Sequence, residues 1–189
     1  MKKVVVSILI LGVVLAVALI GAIALFTDQA TNPGNTFSTG TVDLAIDPAT
    51  AMFTVSNMAP GDVQYSGIKL TNSGSLQLRY AMTTTADGNS TLDEQLKLTI
   101  DVVTDWGDDD TWFTLDDVGA DIYPDGILSS AAIGNATQGN DLGDRTLNAS
   151  DIERLRFKVT LPLSTEDEFQ DTTCTVDFVF DAEQTANNP

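Results

Sequence analysis

The chain has 189 residues, of which 27 are acidic and 9 are basic, so its formal net charge is −18. A surface this acidic repels nucleic acid and anionic lipid, which argues against either as a partner. Histidine is absent, and the sequence has no His-Glu-x-x-His, Gly-x-Ser-x-Gly or phosphate-loop motif. The commonest general base and zinc ligand are therefore missing, and we expect neither an enzyme nor a resident cofactor.

The amino terminus predicts an export signal. Two lysines precede an apolar stretch from Val4 to Phe26, which contains the small-x-small pattern Ala22-Ile23-Ala24. This pattern predicts a signal peptide over residues 1–24 that signal peptidase cuts between Ala24 and Leu25. We therefore expect a secreted, extracellular protein of net charge 7 − 27 = −20. About 20 apolar residues also suffice to span a bilayer, so a retained anchor is the alternative; in either case only this segment contacts the membrane.

A polar leader, residues 25–36, follows the signal, and strand patterns begin after it. Short apolar or alternating stretches, separated by turn signals rich in Pro, Gly, Asn and Asp, are typical of strands. No long helical period and no internal repeat are present. The pattern therefore predicts an all-β fold over residues 37–182, an antiparallel sandwich or jelly roll, with a flexible tail at 183–189. The predicted strands are Thr41–Ile46, Met52–Val55, Val63–Leu70, Leu76–Met82, Leu96–Val102, Leu155–Leu161 and Cys174–Phe180.

The region of about residues 104–150 differs from its surroundings, because it is rich in Asp, Gly and Asn with only brief apolar patches. We interpret it as a loop-rich insertion with room for a short helix. Next to it, Ser150-Asp151-Ile152-Glu153 fits a helix capping box. The predicted strand that follows leaves space for one helical turn at most.

A cluster of carboxylates lies within the insertion, at Asp105, Asp108, Asp109 and Asp110. Calcium takes six to eight oxygen ligands, so these side chains are candidate calcium ligands. Their spacing does not match an EF-hand loop, and a solvated acidic loop is the interpretation we prefer.

Three sequons and one cysteine complete the candidate sites. Asn89, Asn135 and Asn148 each begin an Asn-x-Ser/Thr pattern, which matters only in a host that glycosylates exported proteins. Cys174 is the single cysteine and cannot form an internal disulfide. We expect it to act as a small buried hydrophobic residue, with an intermolecular bridge as the alternative.

Several short patches, in order along the chain, resemble the TasA/camelysin (CalY) family of exported biofilm-fibre proteins. Each patch is short, but together they cover most of the chain after the signal. They are Phe37–Leu44, Met58–Asp62, Asn72–Leu76 with Leu78–Tyr80, Leu155–Pro162, Phe169-Gln170 and Phe180–Thr185.

The resemblance implies a jelly-roll domain that polymerises with other copies of itself into extracellular filaments of the cell surface or biofilm matrix. In such fibres the segment after the signal completes the sheet of the next subunit, which is donor-strand complementation. Here that segment would begin with Leu25, Phe26, Thr27, Asp28, Gln29 and Ala30 and continue to about Thr36.

Two alternatives stay open beside the structural role. Some family members carry a metalloprotease label, which implies a surface metalloendopeptidase, although a zinc site normally needs His or Cys ligands. A membrane-anchored monomeric surface domain is the other. Adding a strand of about ten residues gains roughly what ordering it costs. A filament therefore needs a wider interface between subunits.

Overall fold

The computed structural model describes residues 2–20, 34–88, 91–105, 118–135, 139 and 142–185. The chain divides into two compact units, Met1–Ser38 and Thr39–Pro189. In the first unit a 19-residue helix, α1, spans Lys2–Ile20 and covers most of the apolar stretch. Within the described ranges, no helix combines the length and the apolar character needed to cross a membrane.

The regular structure described in the second unit is mostly β-strand, which confirms the all-β fold. The helical parts among its described residues are a single turn, α2 (Leu92–Gln95), and two 3-10 turns, Leu128–Ser130 and Asp167–Phe169. The described strands are β1 (Leu44–Asp47), β2 (Val63–Asn72), β3 (Leu78–Ala86), β4 (Lys97–Asp105), β5 (Val118–Ile127), β6 (Ala132–Ile133), β7 (Arg145–Leu147), β8 (Ile152–Thr160) and β9 (Val176–Gln184).

These strands form two antiparallel sheets. The first is five-stranded, in the order β1-β2-β8-β4-β5. In the second, β3 is central: β9 pairs along its whole length, whereas β6 pairs with Met82 and Thr83 and β7 with Leu78 to Tyr80. Because a strand has two edges, β6 and β7 lie one after the other along the edge of β3 that faces away from β9.

One apolar core joins the two sheets. On β8 of the first sheet, Leu155 and Phe157 are fully buried, as are Leu78 and Met82 on β3 of the second. All four belong to one cluster. Each such side chain contributes about 1.5 to 3 kcal/mol when it leaves water. The sheets therefore face each other across this core.

The region 104–150 contains more regular structure than we predicted from its composition. The described part holds β5, the 3-10 turn Leu128–Ser130, β6 and β7, so the loop-rich interpretation fails there. Strand β5 includes Gly119, Pro124 and Gly126, which disfavour strands, and its pairing with β4 shifts register at several points. Proline is tolerated in edge strands because one edge needs no ladder hydrogen bond. Composition alone could not indicate this strand.

Two further predictions differ from the structure. Residues 52–55 form no strand; instead Met52 and Phe53 pack half-buried against the core, and the Met52 carbonyl accepts a 2.9 Å hydrogen bond from the Ser66 hydroxyl. The capping box also fails, because Ser150 adopts a φ of 69° in a turn and β8 begins at Ile152.

Candidate assembly interface

The outer edge of β9 is the most prominent open feature of the second sheet. Among the described strands β9 pairs only with β3. Its inward side chains Val176, Phe178 and Phe180 are half-buried, in contrast to the fully buried inward residues of β3 and β8. The core is thus incompletely covered where a further strand would lie.

Aromatic packing anchors β9 on the core from one side. The Phe178 ring meets Phe157 edge-on at 5.1 Å between centroids, and the Phe180 ring lies 6.2 Å from that of Tyr80. Such pairs favour tilted or edge-to-face geometry. The half-buried rings lie on β9, whose outer edge pairs with no other described strand, and such an edge is able to accept an added strand.

A buried asparagine forms hydrogen bonds both with the β2–β3 turn and with β7. Asn72 is fully buried. Its Nδ2 donates to the carbonyl oxygens of Leu76 (2.8 Å) and Leu147 (3.0 Å), and its Oδ1 accepts from the Gly74 amide (3.0 Å). Its main chain also pairs with the 150–151 turn, accepting from the Ser150 amide at 2.9 Å. One side chain therefore ties the β2–β3 turn to β7.

The segment before β1 is fastened to the same turn. The Thr41 carbonyl accepts hydrogen bonds from the amides of Ser75 (3.0 Å) and Leu76 (3.1 Å). A Cβ on Gly74 would collide with that carbonyl, and one on Gly40 would collide with the Leu76 side chain. Two patches of the family resemblance, Phe37–Leu44 and Asn72–Leu76, thus meet in space.

Hydrogen bonds to the Glu153 carboxylate connect the two sheets. The Tyr80 hydroxyl of β3 donates to the Glu153 carboxylate of β8, and Arg145 of β7 donates to the same carboxylate. Burial raises the pKa of Tyr80, and the charge of Glu153 raises it further. On the other face of β3, Arg79 is 4% exposed and donates to Glu183 of β9 at 2.5 Å.

A row of polar residues crosses the outer face of the five-stranded sheet. Arg156 on β8 stands opposite Asp101 on β4, which in turn stands opposite Asp121 on β5. Arg156 donates twice to Asp101 Oδ2, at 2.7 and 3.0 Å, and its guanidinium carbon lies 5.9 Å from the centre of the Tyr65 ring. These residues and Lys158 line a shallow cavity of about 490 Å³.

The Asp101 carboxylate affects the pKa of Asp121, its neighbour on β5. Asp101 is 5% exposed, and its buried Oδ1 accepts no hydrogen bond from the described residues. The pKa of the exposed Asp121 is raised above its usual range, because the Asp101 carboxylate accepts a hydrogen bond from the protonated form of Asp121 and because its negative charge disfavours a second charge beside it. Lys158 and Arg156 oppose this shift.

Several predicted site residues lie outside the described residues. These are the predicted donor strand Leu25, Phe26, Thr27, Asp28, Gln29 and Ala30, the cleavage position at Ala24, the acidic residues Asp108, Asp109 and Asp110, and Asn89. Asp105 ends β4, and only its backbone is described. Its role as a calcium ligand stays a prediction, as does calcium binding by the cluster.

The other two sequons are on exposed turns. The Asn135 amide donates to the Asp144 carboxylate at 2.8 Å. Asn148 is more engaged: its Nδ2, the atom that glycosylation modifies, donates to Asp151 at 2.8 Å, and its Oδ1 accepts from Gln77 at 2.8 Å. Glycosylation at Asn148 would require these contacts to break.

Cys174 lies half-buried just before β9 and packs against the core, in keeping with its predicted apolar role. Burial raises the pKa of its thiol, and the carboxylates of Asp93 and Asp87 add to the rise. A raised pKa keeps the thiol protonated and poorly nucleophilic. Nothing in this environment activates it as a catalytic group.

A metal centre does not fit the donor atoms that the structure brings together. In the described ranges, no three His, Cys, Asp or Glu side chains are grouped so that they could hold a metal ion. The chain has no histidine and one cysteine, whereas zinc sites are built mainly from those ligands. The residues present therefore do not suit a peptidase zinc site, and no hydrolytic step follows from them.

The described strands define an all-β domain of two antiparallel sheets. The sequence matches the family model described as Camelysin metallo-endopeptidase over residues 1–188. The chain therefore belongs to this family, which confirms the resemblance to TasA and camelysin.

Further comparisons add little to this assignment. No curated protein matches the sequence. Among solved structures, the chain is similar to Spo0M, a sporulation control protein from Bacillus subtilis, with 15% identity and a TM-score of 0.24 over 78% of this chain and 47% of that one. The chain spans about half the length of Spo0M, and we draw no argument from this likeness.

Proposed function

We propose that this protein is a secreted structural subunit that assembles into extracellular filaments by donor-strand complementation. The observation that supports this most directly is the outer edge of β9, which pairs with no other strand in the described part of the chain and carries the half-buried Val176, Phe178 and Phe180. The leader of a second copy, beginning at Leu25, adds to this edge and covers the exposed aromatic surface. We describe the arrangement as a jelly roll that is one strand short, and the role as structural and not enzymatic.

The geometry of strand addition leads to a specific experiment. An added strand lies about 4.8 Å from β9, so cysteines placed on the two strands can form a disulfide between subunits. In a Cys174→Ser background, Ala30→Cys is combined with Asp177→Cys, Val179→Cys or Asp181→Cys, whose side chains lie on one face of β9. At least one pair should give a ladder of covalent oligomers on non-reducing gels.

A matched pair controls for chance collisions. Ala30→Cys is combined with Ala45→Cys, which lies exposed on β1 at the edge of the other sheet. If this control pair forms ladders and the β9 pairs do not, the donor strand adds to the edge of the five-stranded sheet and not to β9. Electron microscopy of a variant without residues 25–35 tests the leader itself: filaments identical to those of the intact protein would refute its role.

A surface endopeptidase is the second candidate, and its support is the description that the family carries. A casein digest with and without chelator, using protein from a non-proteolytic host, separates the two functions. Chelator-sensitive cleavage that co-purifies with the protein would establish the peptidase. A retained anchor is tested by N-terminal sequencing of the native protein, since a first residue of Leu25 excludes it.

A further inference from the structure

The outer face of the five-stranded sheet holds a cavity that the proposed donor-strand contact does not use. It is the shallow cavity of about 490 Å³ described above, and we call it the polar cavity. Its volume lies in the range of about 300 to 1,000 Å³ that is typical of ligand sites. The strands β2, β8 and β4 form its floor, and β5 lies at one side.

Two neighbouring rows of outward side chains build this floor. In the first row, Tyr65 of β2 stands opposite Lys158 of β8, which in turn stands opposite Thr99 of β4. The second row contains the ion pair of Arg156 and Asp101 described above. Because these positions lie on paired strands inside the sheet, the backbone beneath them is held in place, as a preformed binding site requires.

The charges that line the polar cavity are of both signs. Its carboxylates belong to Asp101, Asp121 and Asp125, and its basic groups belong to Arg156 and Lys158. A ligand with a strong charge of either sign would therefore meet like charges here, which disfavours its binding. The lining suits a neutral ligand that carries both hydrogen-bond donors and acceptors.

The neighbouring carboxyl groups of Asp101 and Asp121 need a hydrogen-bond donor when both are charged. The protonated form of Asp121 donates to the Asp101 carboxylate, and this donor is lost when Asp121 loses its proton. The Oδ1 atom of Asp101 is buried and has no other donor among the described residues. Carboxyl groups with a raised pKa are frequent at binding sites. A ligand hydroxyl that donates to the exposed Asp121 would reduce the repulsion between the two carboxylates.

Apolar surface lies at both sides of the polar cavity. The Tyr65 side chain is half-buried on β2, and Pro124 is exposed on β5. Three strand spacings of about 4.8 Å separate β2 from β5, so the cavity is about 14 Å across. A sugar ring has apolar C–H groups on its faces and hydroxyl groups at its edge, and this span accommodates more than one linked ring.

We propose that the polar cavity binds a neutral saccharide chain. The Tyr65 ring and Pro124 pack against the faces of sugar rings, Asp121 and Asp125 accept hydrogen bonds from hydroxyl groups, and Lys158 donates to sugar oxygens. The inference does not rest on filament assembly, because a single chain supplies the whole cavity. In a filament the site repeats once per subunit, so that weak single contacts add up along one polymer.

Saturation-transfer difference NMR tests the binding directly, because it detects weak ligands on single copies and on filaments alike. The probes are maltohexaose, cellohexaose, mannohexaose and xylohexaose, with the anionic hexamer of galacturonic acid as the charged comparison. At least one neutral oligosaccharide should receive saturation and bind at least about tenfold more tightly than its own monosaccharide, because it reaches both sides of the cavity. The galacturonate hexamer should receive none.

Two double substitutions that leave the net charge unchanged locate the site. The cavity variant combines Lys158→Ala with Asp125→Asn, since asparagine tolerates the φ of 41° at that position. The control combines Lys69→Ala with Asp177→Asn, which lie outside the cavity on β2 and β9. In calorimetric titrations with the neutral oligosaccharide of strongest signal, the cavity variant should bind at least about tenfold more weakly, because two charge-assisted hydrogen bonds are lost. The control should bind like the natural protein.

Thermal unfolding checks that each variant is folded. If the cavity variant does not fold, Asp125→Asn alone, at an exposed position, replaces it and should weaken binding at least about threefold. The proposal is overturned if no neutral oligosaccharide receives saturation, if only the galacturonate hexamer does, or if the cavity variant and the control bind equally well. The leader is unchanged in every variant, so these results are independent of donor-strand exchange.

Discussion

The hydrogen bonds of a single polar residue, Asn72, fix the local geometry where the β2–β3 turn meets β7. Its side chain uses both amide hydrogens and its oxygen on main-chain groups, inside a region from which water is excluded. Buried amides of this kind specify geometry because no other side chain matches all their partners. In the sequence Asn72 is part of a turn signal, and its distant partner Leu147 could not be inferred from spacing.

Replacing Asn72 with alanine should cost about 3 kcal/mol of unfolding free energy. The variant leaves the carbonyls of Leu76 and Leu147 and the amide of Gly74 without partners, and each buried unsatisfied group costs about 1 to 3 kcal/mol. Urea unfolding followed by circular dichroism measures the change. The exposed control Thr54→Ala should stay within about 0.5 kcal/mol; a loss below about 1 kcal/mol for Asn72→Ala would contradict the assigned role.

The raised pKa of Asp121 makes stability depend on pH in a defined direction. A carboxyl whose pKa is higher in the folded state stabilises the fold fully below its unfolded value of about 3.9, and this contribution disappears as pH rises through the folded pKa. Asp121→Asn keeps a neutral donor to Asp101 at every pH. The variant should therefore be the more stable protein at pH 7, with a difference that narrows toward pH 4.

Thermal unfolding across this pH range measures the difference. Asp171→Asn, which removes one exposed charge and keeps a residue that tolerates the φ of 55° at that position, is the charge-matched control. A gap between Asp121→Asn and the natural protein that is constant with pH, or equal to that of the control, would show that no proton is shared with Asp101.

At the scale of elements, alternation predicted β1, β2, β3, β4, β8 and β9 and missed β5, β6 and β7. On β8 every second residue from Leu155 to Val159 is buried, so its period of two is visible in the sequence. β5 could not be predicted in this way because its residues include Gly119, Pro124 and Gly126, and its register on β4 is irregular. Edge strands satisfy fewer hydrogen bonds and tolerate such residues.

The candidate assembly interface was predictable only in part, because the order of the strands in a sheet is not visible in the sequence. The apolar alternation of β9 is evident in the sequence, but its lack of a second partner emerges only from the sheet order. Likewise, the row of Arg156, Asp101 and Asp121 depends on the pairing of β8 with β4 and of β4 with β5, which links segments far apart in the chain.

The attachment of residues 41–43 to the β2–β3 turn can be tested with one methyl group. Gly74→Ala places a Cβ against the Thr41 carbonyl, which should separate that carbonyl from the Ser75 and Leu76 amides. Hydrogen exchange at these two amides should accelerate by about tenfold. Ser73→Ala, next to it and exposed, should leave both rates unchanged; protected amides in the Gly74→Ala variant would mean that the segment is held elsewhere.

At the scale of the whole molecule, the net negative charge of each copy makes separate copies repel each other before they come into contact. A net charge of −18, with a sequence pI of about 4.1, makes every pair of subunits repel each other, and the repulsion extends further as salt is lowered. Strand addition rests on hydrogen bonds and apolar burial, so it benefits when this repulsion is screened.

Filament formation should therefore increase with calcium, with moderate salt and with mild acidity, because each reduces the repulsion between subunits. Static light scattering of the processed protein across a calcium, salt and pH series measures total assembly, and electron microscopy of the same samples shows whether the assembled material consists of filaments. Assembly that is equal or greater in low-salt chelator at pH 8 would show that net charge does not limit polymerisation.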